Sequence, residues 1–163
     1  MSDSQKLFTP SHPLPAGRTG QMTAFDPGTR MLKAGFQVAP PFRPLPIDIT
    51  FEKDVAVKLR DGVTIYVDVF RPTGADKVPV LLAWSPYGKG QGTSMSAMGV
   101  FGLVGLNNAI VSGLEKFEGP DPAYWCAKGY AICNPDIRGV VDSEGDSVFW
   151  DRQEGRDCHD LIE

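Results

Sequence analysis

A chain of 163 residues, of which 42% are hydrophobic and 22% charged, is long enough to form one globular domain with its own core. The formal net charge of -4 provides no basic surface of the kind that binds nucleic acid or an anionic membrane, so we expect neither partner. The first six residues lack the apolar core of a secretory signal, and no apolar run approaches the ~18 residues of a membrane span, which predicts a cytoplasmic protein.

The amino-terminal 46 residues hold eight of the fourteen prolines and show no sustained hydrophobic period. A segment of this composition buries little surface, so residues 1–46 are predicted to be extended, either loose or draped over a neighbouring surface. Folded structure is expected from Ile47, and residues 47–163 form the predicted domain.

Two runs of alternating apolar and polar residues come next. Apolar side chains occupy every second position from Val55 to Leu59 and again from Val63 to Val69, and Asp61-Gly62 separates the two runs. Glycine adopts the positive φ that a tight turn requires, so this pattern predicts an antiparallel hairpin.

An unbroken apolar run from Val78 to Trp84 stops at Ser85-Pro86-Tyr87-Gly88. Its length and branched side chains predict a strand that is buried on both faces, as in the centre of a parallel sheet. Open α/β sheets carry their chemistry just beyond the carboxyl ends of such strands, so residues 85–94 are the first place to look for function.

The loop Gly88–Ser94 is rich in glycine and contains Lys89, which suggests phosphate binding through backbone N–H groups. Its spacing fits neither a P-loop nor a dinucleotide fingerprint, so nucleotide binding is the weaker alternative. Ser94 lacks the second glycine of a Gly-x-Ser-x-Gly elbow and is not predicted to be a nucleophile.

Residues 98–117 are apolar but interrupted by glycines, which predicts a long ordered loop with one helical turn, typical of the wall or lid of a site. Asp121-Pro122 begins a short helix that Gly129 ends, and residues 130–135 form the next strand. Strand, helix and strand at this spacing predict a βαβ unit and an α/β fold.

Asp136 and Arg138 follow that strand two positions apart. In extended backbone their side chains point the same way, so we expect a structural ion pair at the rim of the site rather than catalytic residues. A helix from Glu154 to Glu163 lacks a stop signal, and two strands predicted to be buried lack neighbours. We therefore expect these residues to be the front part of a larger α/β domain.

Cys126, Cys133 and Cys158 are widely spaced and form no Cys-x-x-Cys pair. They are predicted to be reduced structural thiols rather than zinc ligands with His159, and we expect neither a metal nor a cofactor.

A series of short motifs from Asp54 to the end resembles the CocE/NonD hydrolases, the cocaine-esterase and X-Pro dipeptidyl-peptidase-like group of serine hydrolases. The motifs are Asp61-Gly62-Val63, Val80-Leu81-Leu82 with Ser85-Pro86-Tyr87-Gly88-Lys89, Gly129-Tyr130-Ala131, Asp136-Ile137-Arg138-Gly139, Ser143-Glu144-Gly145 and Glu154-Gly155-Arg156-Asp157. The resemblance implies the amino-terminal portion of an α/β-hydrolase fold, in which an antiparallel hairpin leads into a mainly parallel sheet. It also implies a helical cap, usually with a jelly-roll domain.

The same resemblance implies a site residue and a substrate class. Tyr87 matches the tyrosine whose hydroxyl helps to form the family's oxyanion hole, and such a donor stabilises charge that appears only in the tetrahedral intermediate. The Ser, Asp and His of the triad are expected beyond Glu163, and His159 matches no family histidine. The expected substrate is a small ester, amide or X-Pro peptide. A non-catalytic piece that folds with a partner is the alternative, and the sequence leaves open whether the protein is a homo-oligomer.

Overall fold

A five-stranded sheet with three short or medium helices forms the described structure. It was obtained as a computed structural model and describes residues 24–90, 96, 99–147 and 150–163. The elements are β1 (Gly28–Leu32), β2 (Ile49–Lys58), β3 (Thr64–Pro72), β4 (Val80–Leu82), α1 (Val100–Leu103), a 3₁₀ turn (Asn108–Ile110), α2 (Pro122–Cys126), β5 (Ala131–Asp136) and α3 (Arg152–Ile162). None of the helices in these ranges has the length and apolarity that crossing a membrane requires.

The strands lie in the order β1-β2-β3-β5-β4. Only β4 and β5 run parallel, with Val80 opposite Ala131, whereas the other three pairs are antiparallel. The predicted βαβ unit is therefore present as β4, α2 and β5, which gives a mixed α/β fold. The expectation of a mainly parallel sheet is wrong for the described residues, because β5 also pairs with the hairpin strand β3.

The predicted hairpin is confirmed as β2 and β3. Gly62 has a φ of 91°, and the backbone N–H of Leu59 donates to the carbonyl of Val63 at 2.8 Å. The periodicity did not reveal a bulge between Glu52 and Val55, at which Asp54 has a φ of 53°. The bulge directs Asp54 into the interior, where it is buried.

Folded structure begins earlier than the composition suggested. Strand β1 lies within the segment predicted to be merely extended, and it pairs with β2 from Gly28 opposite Lys53 to Leu32 opposite Ile49. Four of its five residues are exposed, so β1 is held by backbone hydrogen bonds and carries almost none of the apolar periodicity by which a strand is recognised.

Strand β4 was predicted to be buried on both faces, and this is wrong for the described sheet. It lies at the sheet edge, its residue Val80 is 56% exposed, and Leu81 and Leu82 are half-buried. The apolar run correctly indicates a strand, but whether that strand has one paired neighbour or two depends on the tertiary structure.

The core lies between the sheet, helix α2 and the loop before it. Phe51 and Phe70 stack with ring centroids 4.3 Å apart, and they pack with Ile132, Leu114 and Cys126. Helix α2 begins as predicted, because the Asp121 carboxylate accepts a hydrogen bond from the backbone N–H of Ala123. The predicted long loop is confirmed over residues 99–117, but it contains two helical turns, α1 and the 3₁₀ turn, where one was expected. Residue 98 lies outside the described residues.

The loop after β5 folds back onto the start of β3. The carbonyl of Thr64 accepts from the backbone N–H of Glu144, and the Ser143 hydroxyl accepts from the N–H of Tyr66 while donating to the carbonyl of Asp136. This return requires Gly139, which has a φ of 70° and closely approaches residues 145–147.

We predict that Gly139→Ala destabilises the chain strongly. An added Cβ would lie 2.3 Å from the backbone nitrogen of Ser147, so the loop must shift in addition to accepting a left-handed alanine. The expected losses are about 1–2 kcal/mol for the backbone conformation and about 1–3 kcal/mol for the displacement. Urea denaturation measures the sum.

Gly129→Ala is the matched control, because Gly129 has a φ of 85° but a Cβ there meets no atom within 4 Å. Gly129→Ala should lose only about 1–2 kcal/mol of stability, the cost of the left-handed backbone conformation. Equal losses in the two variants would contradict the close approach at Gly139.

Candidate active site at the carboxyl ends of strands β4 and β5

The carboxyl ends of the two parallel strands bring together most of the residues singled out in the sequence. Tyr87 lies in the turn after β4, between Pro86 and Gly88, whose φ is 82°. Its side chain is 46% exposed, and its ring packs edge-on against Phe117 with centroids 4.6 Å apart and an interplanar angle of 81°. A phenol in this position is accessible to a ligand and still has a defined neighbour.

Two contacts hold the backbone on either side of Tyr87. The N–H of Ala83 donates to the carbonyl of Cys133 at 3.0 Å, and the N–H of Lys89 donates to the Asp136 carboxylate at 2.6 Å. A Cβ at Gly88 would lie 3.2 Å from Val141 and 3.4 Å from Asp136, so the turn packs directly against the end of β5. The loop that carries Tyr87 is thus attached to the sheet at both ends.

Lys89 is the centre of a buried cluster of charges. Its side chain is only 4% exposed, and its Nζ lies 2.5 Å from Asp136, 3.0 Å from Asp54 and 3.3 Å from Asp142. Burial by itself lowers the pKa of Lys89, but the carboxylates of Asp136 and Asp54 outweigh this effect and raise the pKa above its ordinary value. The lysine is therefore a permanent cation that joins the bulge of β2 to the end of β5 and the loop beyond it.

The predicted ion pair between Asp136 and Arg138 does not exist. Asp136 is the last residue of β5 and pairs with Lys89, whereas the guanidinium of Arg138 donates to Asp157 at 2.7 and 2.8 Å and to Asp61 at 2.7 Å. The strand ends before Arg138, so the alternation that would place both side chains on one face does not continue. Arg138 instead connects the hairpin turn to helix α3.

The structure does not favour the alternative in which the Gly88–Ser94 loop binds phosphate through Lys89. The ammonium group of Lys89 is buried and paired with carboxylates, so it does not face an incoming phosphate. Ser94 and the rest of 91–95 lie outside the described residues.

No group of three or more His, Cys, Asp or Glu side chains in the described part of the chain is arranged to hold a metal ion. The three cysteines are free, and burial raises the pKa of Cys126 and of Cys133 to about 12, which keeps both thiols protonated and unreactive. His159 is an exposed side chain near Arg60 and Asp160, far along the chain from Tyr87.

Sequence reasoning missed Lys116, which is 1% exposed and whose Nζ donates to the carbonyl of Ala83 at 2.7 Å. Burial lowers the pKa of Lys116 to about 8, although the charge of Asp136 acts in the opposite direction. None of the ion pairs found among the described residues includes Lys116. No local signal marks a lysine in an irregular loop as buried, because its partner lies 33 positions earlier in the chain.

The sequence from Asp61 to the last residue matches the sequence profile of the family described as X-Pro dipeptidyl-peptidase (S15 family), residues 61–163. The chain belongs to this family. The matched stretch includes Tyr87, Lys89, Lys116 and Arg138, and it contains all the named motifs that resemble the CocE/NonD hydrolases.

Individual proteins agree with the family match. A CocE/NonD family hydrolase from Staphylococcus aureus superposes with a TM-score of 0.60 at 30% identity, over 71% of this chain and 20% of that one. Cocaine esterase from a Rhodococcus strain is 33% identical over 95 residues, which are 58% of this chain and 13% of that protein. The resemblance to CocE/NonD hydrolases is thereby confirmed for their amino-terminal part.

A further match is short. Over 48 residues the chain is 54% identical to an L-tyrosine:2-oxoglutarate aminotransferase from Aspergillus ustus, which is 29% of this chain and 9% of that protein. This chain thus spans about a tenth of the length of the curated relatives that it matches. The activity of the whole protein is accordingly a proposal.

We predict that Lys89→Met is among the most destabilising single changes in the chain. Methionine keeps the length of the side chain but removes the cation that pairs with buried Asp136 and leaves Asp54 only its longer contact with Lys53 at 3.4 Å. Breaking a buried pair in this way costs about 3–5 kcal/mol. Lys33→Met is the control, because Lys33 pairs with Asp48 on the surface and should hardly matter. Similar urea midpoints for the two variants would contradict the central role of Lys89.

A second prediction concerns Asp68, whose pKa burial raises from 3.8 to about 6. The folded state then binds more protons than the unfolded state between these values, so the free energy of unfolding falls as pH rises through this window. Asparagine cannot ionise. The stability of Asp68→Asn relative to wild type should therefore be about 2 kcal/mol greater at pH 7.5 than at pH 4.5.

Asp160→Asn provides the control for this measurement. The hydrogen bond from Arg60 lowers the pKa of Asp160 to about 2, below its ordinary value of 3.8, so above pH 4.5 the ionisation of this carboxylate changes little in either state. Its variant should differ from wild type by a nearly constant amount across the same range. A constant difference for Asp68→Asn as well would show that Asp68 is ionised in the folded protein at pH 4.5.

Proposed function

We propose that the chain is the amino-terminal part of an α/β-hydrolase-fold serine hydrolase that cleaves ester or amide bonds, X-Pro peptide bonds included, through an acyl-enzyme. The family itself is one of hydrolases. The serine, acid and histidine belong, in this proposal, to sequence beyond Glu163. The short span of the chain relative to its matched proteins supports that arrangement.

The observation that carries the proposal is the position of Tyr87. It lies beyond the carboxyl end of a parallel strand, where α/β sheets place their chemistry, on a turn whose backbone is attached on both sides. Its ring is half-exposed, and within the family-matched stretch it occupies the Pro-Tyr-Gly turn.

The chemistry follows from the phenol group. Attack of the serine oxygen on the substrate carbonyl converts the carbonyl oxygen into an oxyanion and forms a tetrahedral intermediate. The Tyr87 hydroxyl donates a hydrogen bond to that oxyanion, and the bond strengthens as the negative charge develops. The histidine takes the serine proton during the attack and gives it to the leaving group, so collapse of the intermediate expels the alcohol or amine and leaves the acyl-enzyme. Water then hydrolyses the acyl-enzyme through a second oxyanion at the same place.

A second candidate function has an observation in its favour. Val80 and the rest of β4 form an exposed sheet edge, which suits a segment that pairs with another chain rather than one that catalyses. A fluorophosphonate probe distinguishes the two functions. The hydrolase proposal expects labelling of the full-length protein at a serine beyond Glu163 and none of the 163-residue chain. An unlabelled full-length protein would favour the interaction module.

The sharper experiment is Tyr87→Phe in the full-length hydrolase. The change removes one donor and keeps the ring against Phe117, so turnover should fall about 100- to 1000-fold, whereas KM changes far less. Tyr124→Phe is the matched control, because Tyr124 is also half-exposed and edge-on to a ring, that of Trp125, but lies on α2. Turnover of Tyr87→Phe within a few-fold of the parent, at unchanged Tm, would remove the oxyanion role.

A further inference from the structure

The loop before α2 contains a segment that is irregular and yet almost entirely buried, which we call the anchor segment (residues 112–117). Its first five residues are all buried. The Ser112 hydroxyl donates to Asp121, Leu114 belongs to the core, and the Glu115 carboxylate accepts from Ser96. These contacts hold a stretch without regular secondary structure in one place.

Lys116 connects the anchor segment to the end of β4. The Nζ of Lys116 donates to the carbonyl of Ala83. The backbone N–H of Ala83 in turn donates to the carbonyl of Cys133 in β5. A buried ammonium group that forms no ion pair within the described ranges is unfavourable for folding, so general stability does not explain this lysine. Buried polar groups that cost stability are concentrated near functional sites.

Phe117 is the residue at which the anchor segment reaches the surface, and its ring meets the ring of Tyr87 edge-on. The backbone of Tyr87 is fixed through Ala83 and Lys89, but a half-exposed ring can still rotate about its side-chain bonds. The edge-on contact favours one ring orientation over the others.

We propose that Lys116 and Phe117 are positioning residues for the oxyanion donor, with Lys116 fixing the anchor segment to the end of β4 and Phe117 orienting the Tyr87 ring. The inference rests on the proposed function of Tyr87. It adds to it a physical reason why a donor on a turn can act as a preorganised group, which oxyanion stabilisation requires.

The expected effect is on turnover. A displaced donor binds the ground-state carbonyl about as weakly as before but stabilises the transition state less, so kcat falls and KM hardly changes. This effect requires the Tyr87 hydroxyl, because a ring without a donor has nothing to position. A purely structural role of Phe117 would act whether or not the hydroxyl is present.

The test is a double-mutant cycle in the full-length hydrolase with a p-nitrophenyl ester as substrate. Phe117→Leu keeps an apolar side chain but removes the ring, and it should lower kcat about tenfold in the parent. In the Tyr87→Phe background the same change should alter kcat by less than about twofold. Phe117→Tyr retains the ring and should keep kcat near that of the parent.

Lys116→Met provides a second, independent cycle, because it keeps the length of the side chain but cannot donate to Ala83. Lys116→Met should lower kcat in the parent and leave kcat almost unchanged in the Tyr87→Phe background, as Phe117→Leu does. If Phe117→Leu fails to fold, the Lys116→Met cycle tests the positioning role. Lys128→Met is the control, since Lys128 is an exposed lysine that lies 5.8 Å from the ring of a different tyrosine, Tyr124.

The outcomes separate the inference from the function on which it rests. Equal losses of kcat in both backgrounds, or no loss in either, would overturn the positioning role while leaving Tyr87 as the donor. Unchanged turnover in Tyr87→Phe alone would instead overturn the oxyanion role of Tyr87, on which the inference rests. A tenfold loss confined to the background that carries the hydroxyl supports both.

Discussion

The buried ammonium group of Lys89 is the interaction on which the rest of the structure depends. It binds Asp54 at the bulge of β2, Asp136 at the end of β5 and Asp142 in the loop beyond, so it connects strand β2 to a segment much later in the chain. Asp54 and Asp136 are buried, and each would be costly to bury without a charged partner, so the cation offsets that cost. The bulge at Asp54 and the loop after β5 are thus connected through one charge cluster.

The same cluster links stability to the geometry of the candidate site. Lys89 is two residues from Tyr87, so the contacts that hold the lysine also hold the turn that carries the phenol. On the other side of that turn Ala83 is held by Cys133 and by Lys116. A functional group on a loop is therefore supported by the sheet from both directions, and this is how loops deliver precise chemistry.

The family match and the geometry carry different parts of the functional argument. Similarity over residues 61–163 places the chain among hydrolases, but it does not show what any single side chain does. The geometry shows that Asp136 and Arg138 hold neighbouring elements together, and that Tyr87 is the accessible polar group in the turn after β4. The mechanism is proposed from these two facts together.

The sequence by itself determined the elements whose signals are local: the hairpin around Gly62, helix α2 from its cap at Asp121, and the βαβ order of β4, α2 and β5. Period-two alternation and capping depend on neighbouring residues, so they can be read directly. Only the tertiary structure decided that β4 lies at an edge, that Asp136 pairs with Lys89, and that Lys116 reaches Ala83. The last two outcomes depend on contacts across 47 and 33 positions, and the first depends on which strands pair with β4. A side chain's sequence neighbours do not determine which distant charge or carbonyl it will meet.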